Sequence, residues 1–189
     1  MKKLILILLI AVCTVCTAQT KHMKFKGIPM EGTLDSFVQK LKQKGLNFID
    51  KEDGISMLKG EFAATKGCTI LVSRFAERDQ VNMVVVIFPE DKTWNSLTNR
   101  YYNLKEMLSE KYGMPDCEES FSGSVPNDDF LRFHALLKDE CHFLSEFTCE
   151  NGTIQLSMKK SDVLSAVVFL RYIDKVNADE THKKAMDDL

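Results

Sequence analysis

Apolar side chains recur along this chain with two different periods. Leu34, Phe37, Val38 and Leu41 fall at i, i+3, i+4 and i+7 behind Thr33. That spacing predicts a helix with one apolar face, a hydroxyl at its N-cap and Gly45 to end it in the left-handed conformation. Trp94, Leu97, Tyr101, Leu104 and Leu108 repeat the pattern behind Thr93, and Gly113 and Pro115 stop it. A helix of about five turns is expected there. A shorter one is expected after Asn127, with Phe130, Phe133 or His134, and Leu137 facing inward.

Between the helices the period drops to two. Residues 56–63, 69–75 and 82–88 read as three strands, with turns at Lys66-Gly67 and near residues 77–80. Met83, Val85 and Ile87 point to one side and Val84, Val86 and Phe88 to the other. Both sides are apolar, so this strand is expected to be central and covered on both faces. Residues 141–149, 153–159 and 164–172 form a second set of three. Residues 24–28 and 117–121 are shorter strand candidates.

The order helix, three strands, helix, three strands predicts an α+β tandem repeat. Each unit would be a helix packed on one face of a three-stranded antiparallel sheet. The first spans residues 19–90, the second 91–175, and a polar tail follows over 176–189. Short matches support the duplication: Glu61-Phe62 with Glu146-Phe147, and Thr69-Ile70 with Thr153-Ile154.

Residues 1–18 stand apart. Lys2 and Lys3 precede an unbroken apolar run over residues 4–13, and Cys16-Thr17-Ala18 precedes Gln19. A basic start, a short apolar stretch and small residues at the junction predict a secretory signal cleaved after Ala18. The run falls short of the roughly 20 apolar residues a spanning helix needs. Val12 and Val15 precede Cys13 and Cys16, where a lipid-modified cysteine usually follows Gly, Ala or Ser. A soluble protein of the periplasm or exterior is therefore expected, not spanning the membrane.

The full chain of 189 residues carries 25 Lys and Arg against 27 Asp and Glu. Loss of residues 1–18 leaves 171 residues with 23 basic against 27 acidic side chains, a charge of −4. That balance offers nothing to attract nucleic acid.

Few residues suggest chemistry. Four cysteines lie beyond the signal: Cys68, Cys117, Cys141 and Cys149. An oxidising compartment favours pairing. Cys141 and Cys149 on one strand would lie roughly 26 Å apart, far beyond the span of a disulfide. Two full pairings remain open: Cys68–Cys141 with Cys117–Cys149, or Cys68–Cys149 with Cys117–Cys141. Cys117 with Cys141 is the best single candidate. His134, Cys141, His142 and Cys149 lack metal-ligand spacing, and Cys141 and His142 face opposite sides of a strand. Neither metal nor cofactor is expected. No nucleophile elbow, phosphate loop or H-E-x-x-H is present. The acidic pairs Glu118-Glu119, Asp128-Asp129 and Asp187-Asp188 read as loops, a helix start and a tail. Tyr102 falls off the apolar stripe of the long helix and is the candidate for an exposed interaction surface.

The stretch Phe25-Lys26-Gly27-Ile28-Pro29-Met30-Glu31-Gly32-Thr33-Leu34, with Lys111-Tyr112-Gly113-Met114-Pro115 and Gly152-Thr153-Ile154, resembles a group of uncharacterised secreted proteins of Bacteroidetes. The resemblance implies export and no activity. In plan the expected tandem is similar to β-lactamase-inhibitor-protein-like modules and small outer-membrane assembly lipoproteins, in architecture alone. A non-enzymatic binding module, with another envelope or extracellular protein as partner, is the expected function. The alternative is a small secreted hydrolase with its site between the two halves.

Overall fold

The computed structural model describes residues 22–75 and 78–176, with 179, 183 and 186 beyond them. The predicted signal and most of the polar tail lie outside the described residues.

The chain begins with a small hairpin, β1 (Lys24–Phe25) and β2 (Ile28–Pro29). Helix α1 (Leu34–Gln43) follows, and then β3 (Asn47–Glu52), β4 (Ile55–Phe62), β5 (Thr65–Arg74) and β6 (Val81–Ile87). Helix α2 (Trp94–Tyr112) leads to β7 (Asp116–Phe121), α3 (Asp129–Leu137), β8 (Cys141–Cys149), β9 (Gly152–Asp162) and β10 (Ser165–Asp174).

The helices form where local rules place them. The Thr33 hydroxyl accepts the Ser36 amide at 3.2 Å and the Thr93 hydroxyl accepts that of Ser96 at 3.3 Å. Each satisfies an amide that the first turn leaves without a partner. The expected stripes are buried: Leu34, Phe37, Val38 and Leu41 on α1, and Trp94, Leu97, Tyr101, Leu104 and Leu108 on α2. On α3 the cap is Asp128 instead of Asn127, its carboxylate accepting the Leu131 amide. Its register turns Phe133 and Leu136 inward and leaves Phe130 77% exposed, against expectation.

The expected tandem of two helix-plus-three-strand units is not what forms. β3 to β10 make one eight-stranded antiparallel sheet in the order β3-β4-β5-β6-β10-β9-β8-β7. Two causes account for the difference. Asn47–Glu52 is too polar to read as a strand, yet it pairs with β4 as an edge strand exposed at every position. Asp116–Phe121 likewise extends the opposite edge beside β8. Each side of the chain thus contributes four strands. Next, β6 and β10 pair antiparallel from Met83↔Ile173 to Ile87↔Phe169. Two separate sheets would leave both strands with unpaired amides and carbonyls, and merging them satisfies both edges.

Helices α1, α2 and α3 and the β1–β2 hairpin lie on one face. A single cluster runs from Phe37 and Ile70 through Val86 and Val168 to Phe147, Leu156 and Met158. The hairpin is fastened at the far end of β10. The carboxylate of Asp174, fully buried, accepts the Met23 amide and contacts the His22 ring at 3.0 Å.

Candidate functional site

The opposite face of the sheet carries no element among the described residues. The ladder registers place its side chains in cross-strand rows. Met57, Leu71, Val85, Arg171, Gln155, Glu146 and Asp116 form one row. Lys59, Thr69, Ile87, Phe169, Ser157, Leu144 and Glu118 form the next. Ser73, Met83 and Ile173 belong to the third. Apolar side chains therefore gather at the centre, over β5, β6 and β10. Leu71, Met83, Ile87, Phe169 and Ile173 are half-buried there, and Val85 is buried among them outside the main core. The expectation that β6 would be covered on both faces is met on one only.

Polar groups rim this band. Arg171 Nη1 donates to Gln155 Oε1 at 3.3 Å, and Gln155 Nε2 donates to Glu146 Oε2 at 2.7 Å. His142 Nε2 lies 3.7 Å from Glu118 Oε2. Eight strands give the sheet a width of about 35 Å. Period-two alternation singles out these positions in the sequence. Their exposure was not legible, because it depends on which face the helices choose.

Tyr102 is exposed, 44% of its surface facing solvent, but on the helix side and not on this open face. Its hydroxyl donates to Glu119 Oε2 at 3.1 Å. Lys105 Nζ donates to Glu119 Oε1 at 2.7 Å. The buried Tyr101 hydroxyl meets Ser145 Oγ at 2.7 Å. The Glu119 contacts clamp edge strand β7 to α2, and the Ser145 contact ties α2 to β8. Burial pushes the Tyr101 and Tyr102 hydroxyls up from their ordinary pKa. Burial pulls the Lys105 ammonium down, but its bonds to Glu119 and Cys117 outweigh this and hold it above the usual lysine range.

The Cys117–Cys141 disulfide does not form, and all four described cysteines are free thiols. Cys117 stands opposite Ser145, whereas Cys141 stands opposite Phe121. Four residues of strand, about 13 Å, separate them along the ladder. Cys141 and Cys149 do share one strand, so they stay apart as expected.

Three of the four thiols are held protonated by burial. Burial pushes Cys141 up to about 11, and it also raises Cys68 and Cys149. Such thiols hold their protons, whereas a nucleophilic cysteine needs the thiolate. Both predicted histidines lie at the surface: His134 stacks against Phe130 on α3, and His142 faces solvent. Among the described residues no three of His, Cys, Asp and Glu converge as metal ligands. No helix among them is long and apolar enough to cross a membrane. Asp187-Asp188 lies outside the described residues. No family model, curated protein or solved structure matches this chain.

Proposed function

We propose that the chain is an exported, non-enzymatic binding module that docks another envelope or extracellular protein on the open face of its sheet. The observation that carries this reading is the uncovered apolar band of Leu71, Met83, Ile87, Phe169 and Ile173. A contiguous apolar patch held at the surface is costly unless something covers it. Its form argues for a protein. Small molecules are gripped in concave sites, while a broad face with an apolar centre and a polar rim has the anatomy of a protein interface. The basic start, short apolar run and small-residue junction of residues 1–18 support export, as does the likeness of the Phe25-to-Leu34 stretch to secreted proteins.

A photo-crosslinking residue in place of Phe169, in the protein exported by its native cell, tests the reading. A discrete protein adduct is expected at Phe169, with none from the same group at Glu106 on the solvent side of α2. Equal labelling at both positions, no adduct at Phe169, or a crosslink only to this chain's own tail overturns it. N-terminal sequencing of the same material is expected to begin at Gln19, and a start at Met1 overturns export.

A further inference from the structure

On the helix side, a cleft of about 550 Å³ opens where the two halves of the chain meet. Its basic groups come from two separate elements. Lys24 and Lys26 belong to the β1–β2 hairpin, and Lys111 to the last turn of α2. Glu150 is the one acidic side chain among the lining residues. Lys111 alone would be explained as a cation at a helix C-terminus. Of the hairpin lysines, Lys26 donates to the Glu61 carbonyl at 3.1 Å, which holds its ammonium beside Phe62, and Lys24 is exposed. In a chain with more acidic than basic side chains, three ammoniums about one hollow make a local positive field.

The lining beneath them is aromatic. Phe62, Tyr112 and Tyr172 line the cleft, and the Lys26 and Lys111 ammoniums stand 5.9 and 4.9 Å from the Phe62 and Tyr112 ring centroids. Tyr172 brings a phenol to the same hollow. It is only 5% exposed overall and lines the cleft. Burial holds that hydroxyl protonated, so it can donate to an acceptor in the cleft.

We infer that the cleft binds a small anionic amphiphile, its carboxylate or phosphate held by Lys24, Lys26, Lys111 and the Tyr172 hydroxyl and its flat or aliphatic body laid on Phe62 and Tyr112. Charge fixes the end that meets the lysines, and the aromatic floor accepts the apolar remainder. The volume suits a ligand of drug-like size. The site is separate from the open sheet face and stands or falls independently of it.

Two dyes with one body test it. 1-Anilinonaphthalene-8-sulfonate carries an anion, and N-phenyl-1-naphthylamine lacks it. The sulfonate is expected to bind one site per chain about tenfold more tightly than the neutral dye, as charge-assisted hydrogen bonds require. Lys24→Gln with Lys111→Gln should cost the sulfonate about tenfold and leave the neutral dye unchanged. Both lysines are exposed, so the fold should survive. Tyr172→Phe should cost about threefold. Phe169→Glu, on the open face, should change neither dye. Displacement by octanoate or by phenyl phosphate supports the inference and separates carboxylate from phosphate. Equal binding of the two dyes, indifference to the lysine changes, loss of signal on Phe169→Glu, or displacement by neither competitor overturns it.

Discussion

The two edges of the sheet solve one problem in different ways. Both β3 and β7 are short, polar and exposed strands that close an open sheet. β7 is clamped. Glu119 accepts from Tyr101, Tyr102 and Lys105. Phe121 packs with Trp94 and Phe143, ring centroids 5.9 and 5.8 Å away. β3 has no such anchor among the described contacts. Its side-chain tie to α1 is the exposed Lys51–Asp35 pair at 2.6 Å, and a register irregularity between Phe48 and Asp50 breaks its ladder. A bulge and charges defend an edge against stray pairing without fixing it firmly. The difference teaches that two edge strands, each paired on one side alone, can be unequal in both ladder continuity and side-chain support.

Removing the aromatic anchor should separate the edges most. Trp94→Ala is expected to cost about 3 kcal/mol in denaturant unfolding, whereas Phe48→Ala on half-exposed β3 should cost under about 1 kcal/mol. Comparable losses would show that β3 is anchored too. Glu119→Ala comes next, at about 1–2 kcal/mol, because three donors lose their acceptor. Hydrogen exchange should quicken at β7 amides and not at β3. Glu119→Gln should recover the tyrosine bonds but not the Lys105 ion pair.

Alkali should sharpen the contrast. Tyr101, Tyr102, Cys141 and Cys149, all in the half that holds β7, keep their protons more tightly folded than unfolded. For such acids the stabilisation is complete below the unfolded pKa and is lost as pH rises through the folded value. The melting temperature should therefore fall as pH rises from 9.0, the ordinary thiol value, to about 11 for Cys141. β7 should lose exchange protection first, and earlier loss at β3 would contradict the comparison. The smallest effects belong to the β3 side. Ser56 Oγ is buried on β4 with no hydrogen-bond partner among the described residues. Ser56→Ala should raise stability by about 0.5–1 kcal/mol, while Lys51→Ala should change it by under about 0.5 kcal/mol.

Short-range signals were readable from the residues alone. Thr33 and Thr93 announced their helices, and the apolar stripes of α1 and α2 are buried as spaced. Residues 82–88 and 164–172 were readable as strands, and of the two only the first was expected at the centre of a sheet. Phe130 shows the limit. Phe130, Leu131, Phe133, Leu136 and Leu137 on one nine-residue helix allow more than one inward face, and packing against α2 and β9 chose the one with Phe133 and Leu136.

Export, through the pattern of residues 1–18, is an expectation the amino-acid order supplies without any fold. Helix starts, strand periods and turns are also set by neighbours within a few residues, so they could be read in advance. The merging of eight strands, the recruitment of polar Asn47–Glu52, the offset of Cys117 from Cys141, and the meeting of Lys24 and Lys26 with Lys111 all join residues far apart in the chain. Strand register and edge satisfaction decide such meetings, and they exist only once the whole sheet has closed.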